Sequence, residues 1–248
     1  MTERPEAGDG GRGLPLVEVF SSVQGEGAWV GRRQIFVRCA GCNLSCAYCD
    51  TRHAAPPGIL TEDGRRLANP VAPEALLALV DAFLQRLPGA HHSLSLTGGE
   101  PLLHAEALRE ILPFLRKKLP IYLETNGTLP EALSKVLPHL DHVALDIKLS
   151  AVTGEPTRWD AHAEFLRLAD PVGGCVKVIV APELVEEELA RAAALAAEKA
   201  PHLPLILQPR TGGAACKASQ LLHWQALAAR LHPDVRVIPQ THVALGLR

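Results

Sequence analysis

The 248-residue sequence contains no run of about 18 uninterrupted apolar residues, so it offers no candidate membrane-spanning helix. Its N-terminus carries Glu3, Glu6 and Asp9 and lacks the basic and then apolar pattern of a secretory signal. Both absences point to a soluble, cytoplasmic protein. No Lys/Arg-rich block or basic stripe interleaved with aromatics occurs, and the formal net charge is -2. Nucleic acid is therefore not expected as a partner, and a small, charged substrate fits better. What is present is a 47% hydrophobic composition, enough for one domain with a full core. Residues 1–14 read as a flexible Gly-rich leader and 15–248 as that domain.

The cysteines are too crowded for a disulfide framework: of the six, Cys39, Cys42, Cys46 and Cys49 share one short stretch. Such crowding suits a reducing compartment in which thiolates hold metal.

Short apolar runs recur along the chain, each ending in polar or Gly residues: Ile35–Val37, Leu94–Leu96, Ile121–Leu123, Val143–Ile147, Val176–Val180, Leu205–Leu207 and Val235–Ile238. They predict buried parallel strands. Helical spacings lie between them, as in Leu76, Leu77, Val80, Phe83, Leu84 and Leu87 behind Pro73, then Leu108, Ile111, Leu112 and Leu115. A third helix is expected over Leu184 to Lys199, with Glu186, Glu187 and Glu188 at its start, where the macrodipole favours anions. This alternation, without a repeated sequence motif, predicts an α/β fold, either a partial or full barrel or an open doubly wound sheet. Polar residues favour the barrel. Thr97-Gly98-Gly99-Glu100, Glu124-Thr125-Asn126-Gly127, Asp146 with Lys148, Gln208-Pro209-Arg210 and Gln240-Thr241-His242 all follow successive strands, and one barrel mouth would gather them.

Cys42, Cys46 and Cys49 form a C-x3-C-x2-C spacing on a loop after the first clear strand. A [4Fe–4S] cluster normally takes four thiolates, so three on one loop leave an iron open to an outside ligand. A zinc knuckle or electron-transfer cluster with Cys39 as fourth ligand is the competing reading. Cys39 directly follows an apolar strand and is expected to pack as a small buried thiol, as are Cys175 and Cys216.

The cysteine loop followed by Thr97-Gly98-Gly99-Glu100-Pro101 resembles the radical S-adenosylmethionine superfamily. Glu18-Val19-Phe20-Ser21-Ser22-Val23-Gln24-Gly25-Glu26-Gly27, Glu124-Thr125-Asn126-Gly127 and Gln240-Thr241-His242 narrow the resemblance to the 7-carboxy-7-deazaguanine synthase family, from about residue 16 to 248. The fold implied is a partial or modified (β/α)6 barrel in a single domain. The activity implied is ring contraction of 6-carboxy-5,6,7,8-tetrahydropterin to 7-carboxy-7-deazaguanine with loss of ammonia, a step towards queuosine. It would use a [4Fe–4S] cluster, S-adenosylmethionine and Mg2+, with hydrogen taken from C6 of the pterin and later returned.

By that resemblance Cys42, Cys46 and Cys49 hold the cluster and Thr51 contributes to Mg2+. Tyr48, Cys49, Asp50, Gly99, Glu124, Asp146, Ile147, Lys148 and Gln208 contact S-adenosylmethionine. The pterin falls to Val23, Gln24, Gly25, Glu26, Arg38, Thr97, His242 and the carboxylate of Arg248. Gln24 and Glu26 offer hydrogen bonds suited to an aminopyrimidinone edge, and Arg38 suits the pterin carboxylate. A flavodoxin reductant and a homodimer are implied by the same analogy. Tyr48 stands where many members have Trp, Asn126 replaces a commoner Ser, and Val243 stands where Lys is frequent. A glycyl-radical activating enzyme shares the cluster loop but has no need of the Gln24–Glu26 segment. A non-catalytic iron–sulfur electron-transfer module is the alternative of another class.

Overall fold

A computed structural model describes residues 13–49, 51, 53–61 and 64–247. In chain order the elements are β1 (Leu16–Val23), β2 (Arg33–Cys39), a small hairpin of β3 (Gly58–Leu60) and β4 (Arg66–Ala68), α1 (Pro73–Arg86), β5 (Ser93–Gly98), α2 (Ala105–Arg116) and β6 (Ile121–Thr125). They continue as α3 (Pro130–Val136), β7 (His142–Asp146), α4 (Ser150–Thr153), α5 (Trp159–Ala169), β8 (Gly174–Val180), α6 (Glu186–Lys199), β9 (Leu205–Pro209), α7 (Ala218–Ala229), β10 (Val235–Val237) and α8 (Thr241–Ala244).

Among the described residues the main sheet has eight strands in the order β1-β2-β5-β6-β7-β8-β9-β10. β1 runs antiparallel to β2, and every other neighbour pair is parallel. β1 and β10 are its edges, so the barrel is partial. Side chains from β1, β2 and β5 to β9 nevertheless face one cavity, which requires the sheet to curve around it. The helices pack outside through apolar stripes: Leu108, Ile111, Leu112 and Leu115 of α2 and Leu76, Leu79, Val80 and Phe83 of α1 join one continuous core. Removing such stripes from water, at roughly 25 cal/mol per Å2 of apolar surface, is the main force closing the layer.

Strand alternation decides what faces inward. A small second cluster of Tyr122, Ala144, Cys175 and Ile206 fills the barrel at the amino ends of β6 to β9, with Ala28 and Trp29 packed on it. Trp29 stacks on His142 at 4.0 Å and His142 on Tyr122 at 4.7 Å, so the turn Gly27–Trp29 plugs that end. One layer further up, the inward positions turn polar: Glu124, Asp146, Lys177 and Gln208.

The predicted parallel strands are all present, with small shifts at their ends. β1 and the β3–β4 hairpin are additions to the expected pattern. Leu14 is buried and exchanges backbone hydrogen bonds of 2.9 Å with Val71, so the packed fold begins within the stretch expected to be leader. Residues 1–12 lie outside the described set.

Candidate active site

A cavity of about 780 Å3 opens at the carboxyl ends of the strands. Cys42, Cys46 and Cys49 form one wall of it, and Val23, Gln24, Gly25, Glu26, Arg38 and His242 belong to its lining as well. Tyr48, Thr51, Thr97, Gly99, Glu124, Asp146, Lys148 and Gln208 complete the set of expected site residues that it gathers. Ile147 departs from the expectation. β7 ends at Asp146, whose side chain points inward, so the next side chain turns outward; Ile147 is buried in the core and its N–H bonds the Lys177 carbonyl at 2.8 Å. Asp50 and Arg248 lie outside the described residues.

The cysteine loop leaves β2 and is held mainly by backbone. Gly41 N–H donates to the His53 carbonyl at 2.7 Å, Glu100 N–H to the Gly41 carbonyl at 2.8 Å, and Ala47 N–H to the Thr153 carbonyl at 2.8 Å. The paired glycines have a steric reason: a Cβ on Gly98 would strike the Cys39 carbonyl, and one on Gly99 the Gly41 carbonyl. Only residues without a side chain let the end of β5 pass so close under the loop. Asn126 is the second fastener. Its side chain donates to Asn43 at 2.8 Å, while Asn43 donates to Thr128 at 2.9 Å, tying the loop to the end of β6.

Glu100 does not line the cavity. It is fully buried and accepts from Leu102 N–H at 3.0 Å, Thr125 Oγ1 at 2.9 Å and Asn126 N–H at 2.8 Å. Burial pushes its carboxyl up to about 7 against those hydrogen bonds. Its task is to fix the end of β5 to the end of β6.

Burial also pushes the Cys42 and Cys46 thiols up, opposed by the nearby Lys148 charge, so loading a metal centre must release protons. Cys39, by contrast, is wholly buried in the core and does not line the cavity. Among the described residues no three His, Cys, Asp or Glu side chains are grouped tightly enough to share one metal ion. The three loop thiols instead lie within electrostatic range of one another along one wall.

Beside them, Lys148 Nζ donates to Asp146 at 2.8 Å and to Tyr48 OH at 3.1 Å, and sits 5.3 Å from the Tyr48 ring centroid. Although burial opposes its charge, Asp146 and Tyr48 raise its pKa well above the usual lysine value. Two buried acceptors facing the cavity, Asp146 Oδ1 and Gln208 Oε1, have no protein partner among the described residues. Unmatched buried acceptors of this kind suit the hydroxyl and amino donors of a bound nucleoside. The three-thiol wall, the glycine cradle and these acceptors fit a cluster with S-adenosylmethionine against it.

A second part of the lining carries the charged side chains Glu26, Lys177 and Arg38. Glu26 pairs with Lys177 of β8, and its other oxygen accepts from Gln240 Nε2 at 2.7 Å. Burial pushes the Glu26 carboxyl up, but Lys177 outweighs it and leaves the group at about 2. Gln24 behaves otherwise than expected: its amide donates to Gln34 at 3.0 Å and to Glu124 at 2.9 Å, and its oxygen accepts from Glu26 N–H at 2.9 Å. It serves as the floor of the site rather than as a free donor pair. Arg38 is held by Glu18 at 3.0 Å and lies 5.6 Å from the Phe20 ring, with its side chain still on the cavity. Gln240, Thr241 and His242 dock directly on this wall. Thr241 N–H donates to the Gly25 carbonyl at 2.9 Å, and a Cβ on Gly25 would overlap the His242 ring. Lys177 was missed from sequence, although a lone lysine in the otherwise apolar strand Gly174–Val180 is a visible signal.

Residues 36–152 match the Radical SAM superfamily model, so the loop, cradle and strand ends belong to a radical S-adenosylmethionine enzyme. The chain is 43% identical to the 7-carboxy-7-deazaguanine synthase of Geobacter sulfurreducens, over 94% of its own length and 98% of that relative. It is 35% identical to the synthase of the same name from Methanothermobacter thermautotrophicus, with the same coverage of 94% and 98%. It belongs to the 7-carboxy-7-deazaguanine synthase family. The crystal structure of QueE from Escherichia coli shares the fold, with a TM-score of 0.60 at 24% identity over 94% of this chain and 96% of that one. A structure of TYW1 with a lysine-pyruvate adduct matches more distantly, with a TM-score of 0.52 at 13% identity over 80% of this chain and 74% of that one. The family uses a [4Fe–4S] cluster and S-adenosylmethionine.

Proposed function

We propose that the chain converts 6-carboxy-5,6,7,8-tetrahydropterin to 7-carboxy-7-deazaguanine with loss of ammonia. The observation that carries this reading is one cavity lined both by three thiols and by an ionised, doubly held carboxylate. Bound there, the cluster and S-adenosylmethionine supply one-electron chemistry able to remove hydrogen from an unactivated C–H bond.

The chain's own residues bind, orient and exclude water. Cys42, Cys46 and Cys49 hold the cluster. Asp146 and Gln208 accept from the nucleoside, with Tyr48, Gly99, Glu124, Lys148 and the end of β7 around it. Glu26 accepts from the N–H edge of the aminopyrimidinone, and a charged acceptor makes such bonds roughly twice as strong as a neutral one. Arg38, oriented by Glu18 and Phe20, meets the pterin carboxylate. Val23, Gly25, Thr97 and His242 shape the remaining contact, over the floor that Gln24 provides. Thr51 offers an oxygen ligand to Mg2+ beside the last cysteine. Asp50 and Arg248 are assigned by family likeness alone, as are a flavodoxin reductant and a homodimer. No helix among the described residues is long and apolar enough to cross a membrane, in keeping with a cytoplasmic enzyme.

The test is anaerobic reconstitution with iron and sulfide, reduction, and addition of the pterin, S-adenosylmethionine and Mg2+, with products identified by mass spectrometry. The expected product is 7-carboxy-7-deazaguanine. Cleavage of S-adenosylmethionine with no deazaguanine formed would overturn the substrate assignment. No cleavage by cluster-loaded, reduced protein would favour an electron-transfer module.

A further inference from the structure

Lys177 is the only charged residue of β8, in the run Gly-Cys-Val-Lys-Val-Ile-Val, and its side chain is 8% exposed. Register places it beside Asp146 of β7, yet its Nζ bonds Glu26, while Lys148 takes one oxygen of Asp146. A buried ion pair costs several kcal/mol of desolvation per ion and is often no better for stability than a well-packed apolar pair. Stability alone is therefore a poor reason for a lysine here.

We propose that Lys177 is a positioning residue for substrate binding, holding Glu26 in place and ionised so that its remaining lone pairs receive the paired N–H groups of the pterin's aminopyrimidinone edge. The inference rests on the reading that Glu26 faces the pterin. Geometry supports it from three sides. Lys177 takes one Glu26 oxygen and Gln240 the other, which fixes the plane of the carboxylate. An ionised carboxylate has about four acceptor sites, so two held from the protein leave capacity towards the cavity. Adjacent N–H donors on a flat ring match that capacity as a guanidinium would. The charged and titratable groups facing the pair are few: Glu124 of β6, Asp146 of β7, His242 of the tail, and Tyr122 and Cys175 beneath. Of these only His242 can add positive charge near Glu26, so without Lys177 burial would favour the protonated, neutral acid. A neutral acid carries a hydroxyl that meets a ring N–H donor to donor.

The experiment measures pterin affinity by anaerobic calorimetry on cluster-loaded enzyme with S-adenosylmethionine and no reductant, at pH 6, 7 and 8. Lys177→Met, Lys177→Arg, Glu26→Gln and the double variant are compared with the parent, whose profile accounts for the ligand's own titration. Lys177→Met should bind more weakly and lose about tenfold further per pH unit once below the raised Glu26 pKa. Lys177→Arg should keep affinity within about threefold and the parent's pH profile, since it restores the charge. Glu26→Gln should bind weakly with no added pH dependence, and the double variant should match it. Because Lys177→Met strands a buried carboxylate and risks unfolding, the double variant, which buries no charge, keeps the comparison with Glu26→Gln available. The proposal is overturned if Lys177→Met binds like the parent, or if the double variant binds at least tenfold more weakly than Glu26→Gln, which would put Lys177 in contact with the pterin itself. Parent-like binding by Glu26→Gln would instead overturn the placement of the pterin.

Discussion

Two carboxylates, the fully buried Glu100 and the partly exposed Glu26, define the contrast between the walls of the cavity. Glu100 supports the cluster wall, meets only N–H and O–H donors, and is pushed up to about 7 by burial. Glu26 forms the substrate wall, meets Lys177 and Gln240, and is held at about 2 although burial opposes it. The same chemical group thus has opposite protonation tendencies in one fold, and the largest difference is the Lys177 cation bonded to Glu26. The cluster wall is built for geometry, from backbone bonds, glycine contacts and neutral amides. Its counterpart is built for charge.

The most severe way to break the cluster wall is to remove a thiolate. Cys46→Ala should abolish iron binding and cleavage of S-adenosylmethionine together, because the loop has only three thiols on the cavity. Cys39→Ala should keep the iron and cost about 1 kcal/mol as a small core deletion. Iron per chain and thermal melting separate the two. If Cys39→Ala folds but loses its iron, the ligand assignment is wrong.

Next in size is Gly99→Ala, which sets a methyl group against the Gly41 carbonyl. Both partners are backbone, so no rotamer change relieves the overlap, and a loss of about 3 kcal/mol is expected. Reconstituted protein should surrender iron to a chelator many times faster than the parent. Parent-like iron retention would show that the loop does not rest on this glycine.

The carboxylates themselves predict opposite pH limbs in the metal-free protein. Glu100 has a folded pKa above its usual 4.5, so the native state holds more protons than the unfolded one, and stability falls as pH rises from about 5 to 8. Glu26 lies below its usual value, so its contribution is present at neutral pH and is lost as pH falls from about 4.5 towards 2. Glu100→Gln should flatten the alkaline limb by on the order of 2 kcal/mol, while Glu26→Gln should flatten the acid limb. Urea unfolding across pH reads the slopes. Unchanged slope between pH 5 and 8 in Glu100→Gln would mean that this group does not titrate there.

The same contrast governs what was legible in the sequence. The cluster wall comes from one contiguous loop and the Gly-Gly pair that cradles it, so spacing exposes it as a metal site and the family resemblance supplies its chemistry. Its partner joins Glu26 to Lys177 across 151 positions and to Gln240 across 214, and no local pattern announces such pairs. The sequence presents Gln24 as offering hydrogen bonds to an aminopyrimidinone edge and does not reveal that Gln34 and Glu124, which engage its amide, come from other strands. Ile147 could have been placed correctly, since alternation after an inward Asp146 turns it out. Asn126, expected at the barrel mouth as part of a polar strand end, proves to be the residue that reaches Asn43 in the cysteine loop. β1 was hidden because Glu18, Ser21 and Ser22 interrupt its apolar run.

The mildest change tests whether the substrate wall depends on the chain end. Gly25→Ala places a methyl group inside the present position of the His242 ring, whose Cβ, Cγ and Nδ1 are all in the way. Unlike the Gly99 case, the obstacle is a side chain on a short terminal helix, α8, so it yields by moving outward. That movement pulls on the Thr241 N–H to Gly25 carbonyl bond of 2.9 Å and on the Gln240 bond to Glu26. With the neutral backbone bond worth about 1 kcal/mol net and the bond to the ionised carboxylate weakened rather than broken, the expected result is a five- to tenfold rise in the Michaelis constant for the pterin. Iron content and the affinity for S-adenosylmethionine should stay within about twofold of the parent, because the cluster loop is anchored elsewhere, by Gly41, Asn43 and Ala47. A rise in the pterin constant accompanied by equal loss of S-adenosylmethionine binding would show that the two walls move as one body.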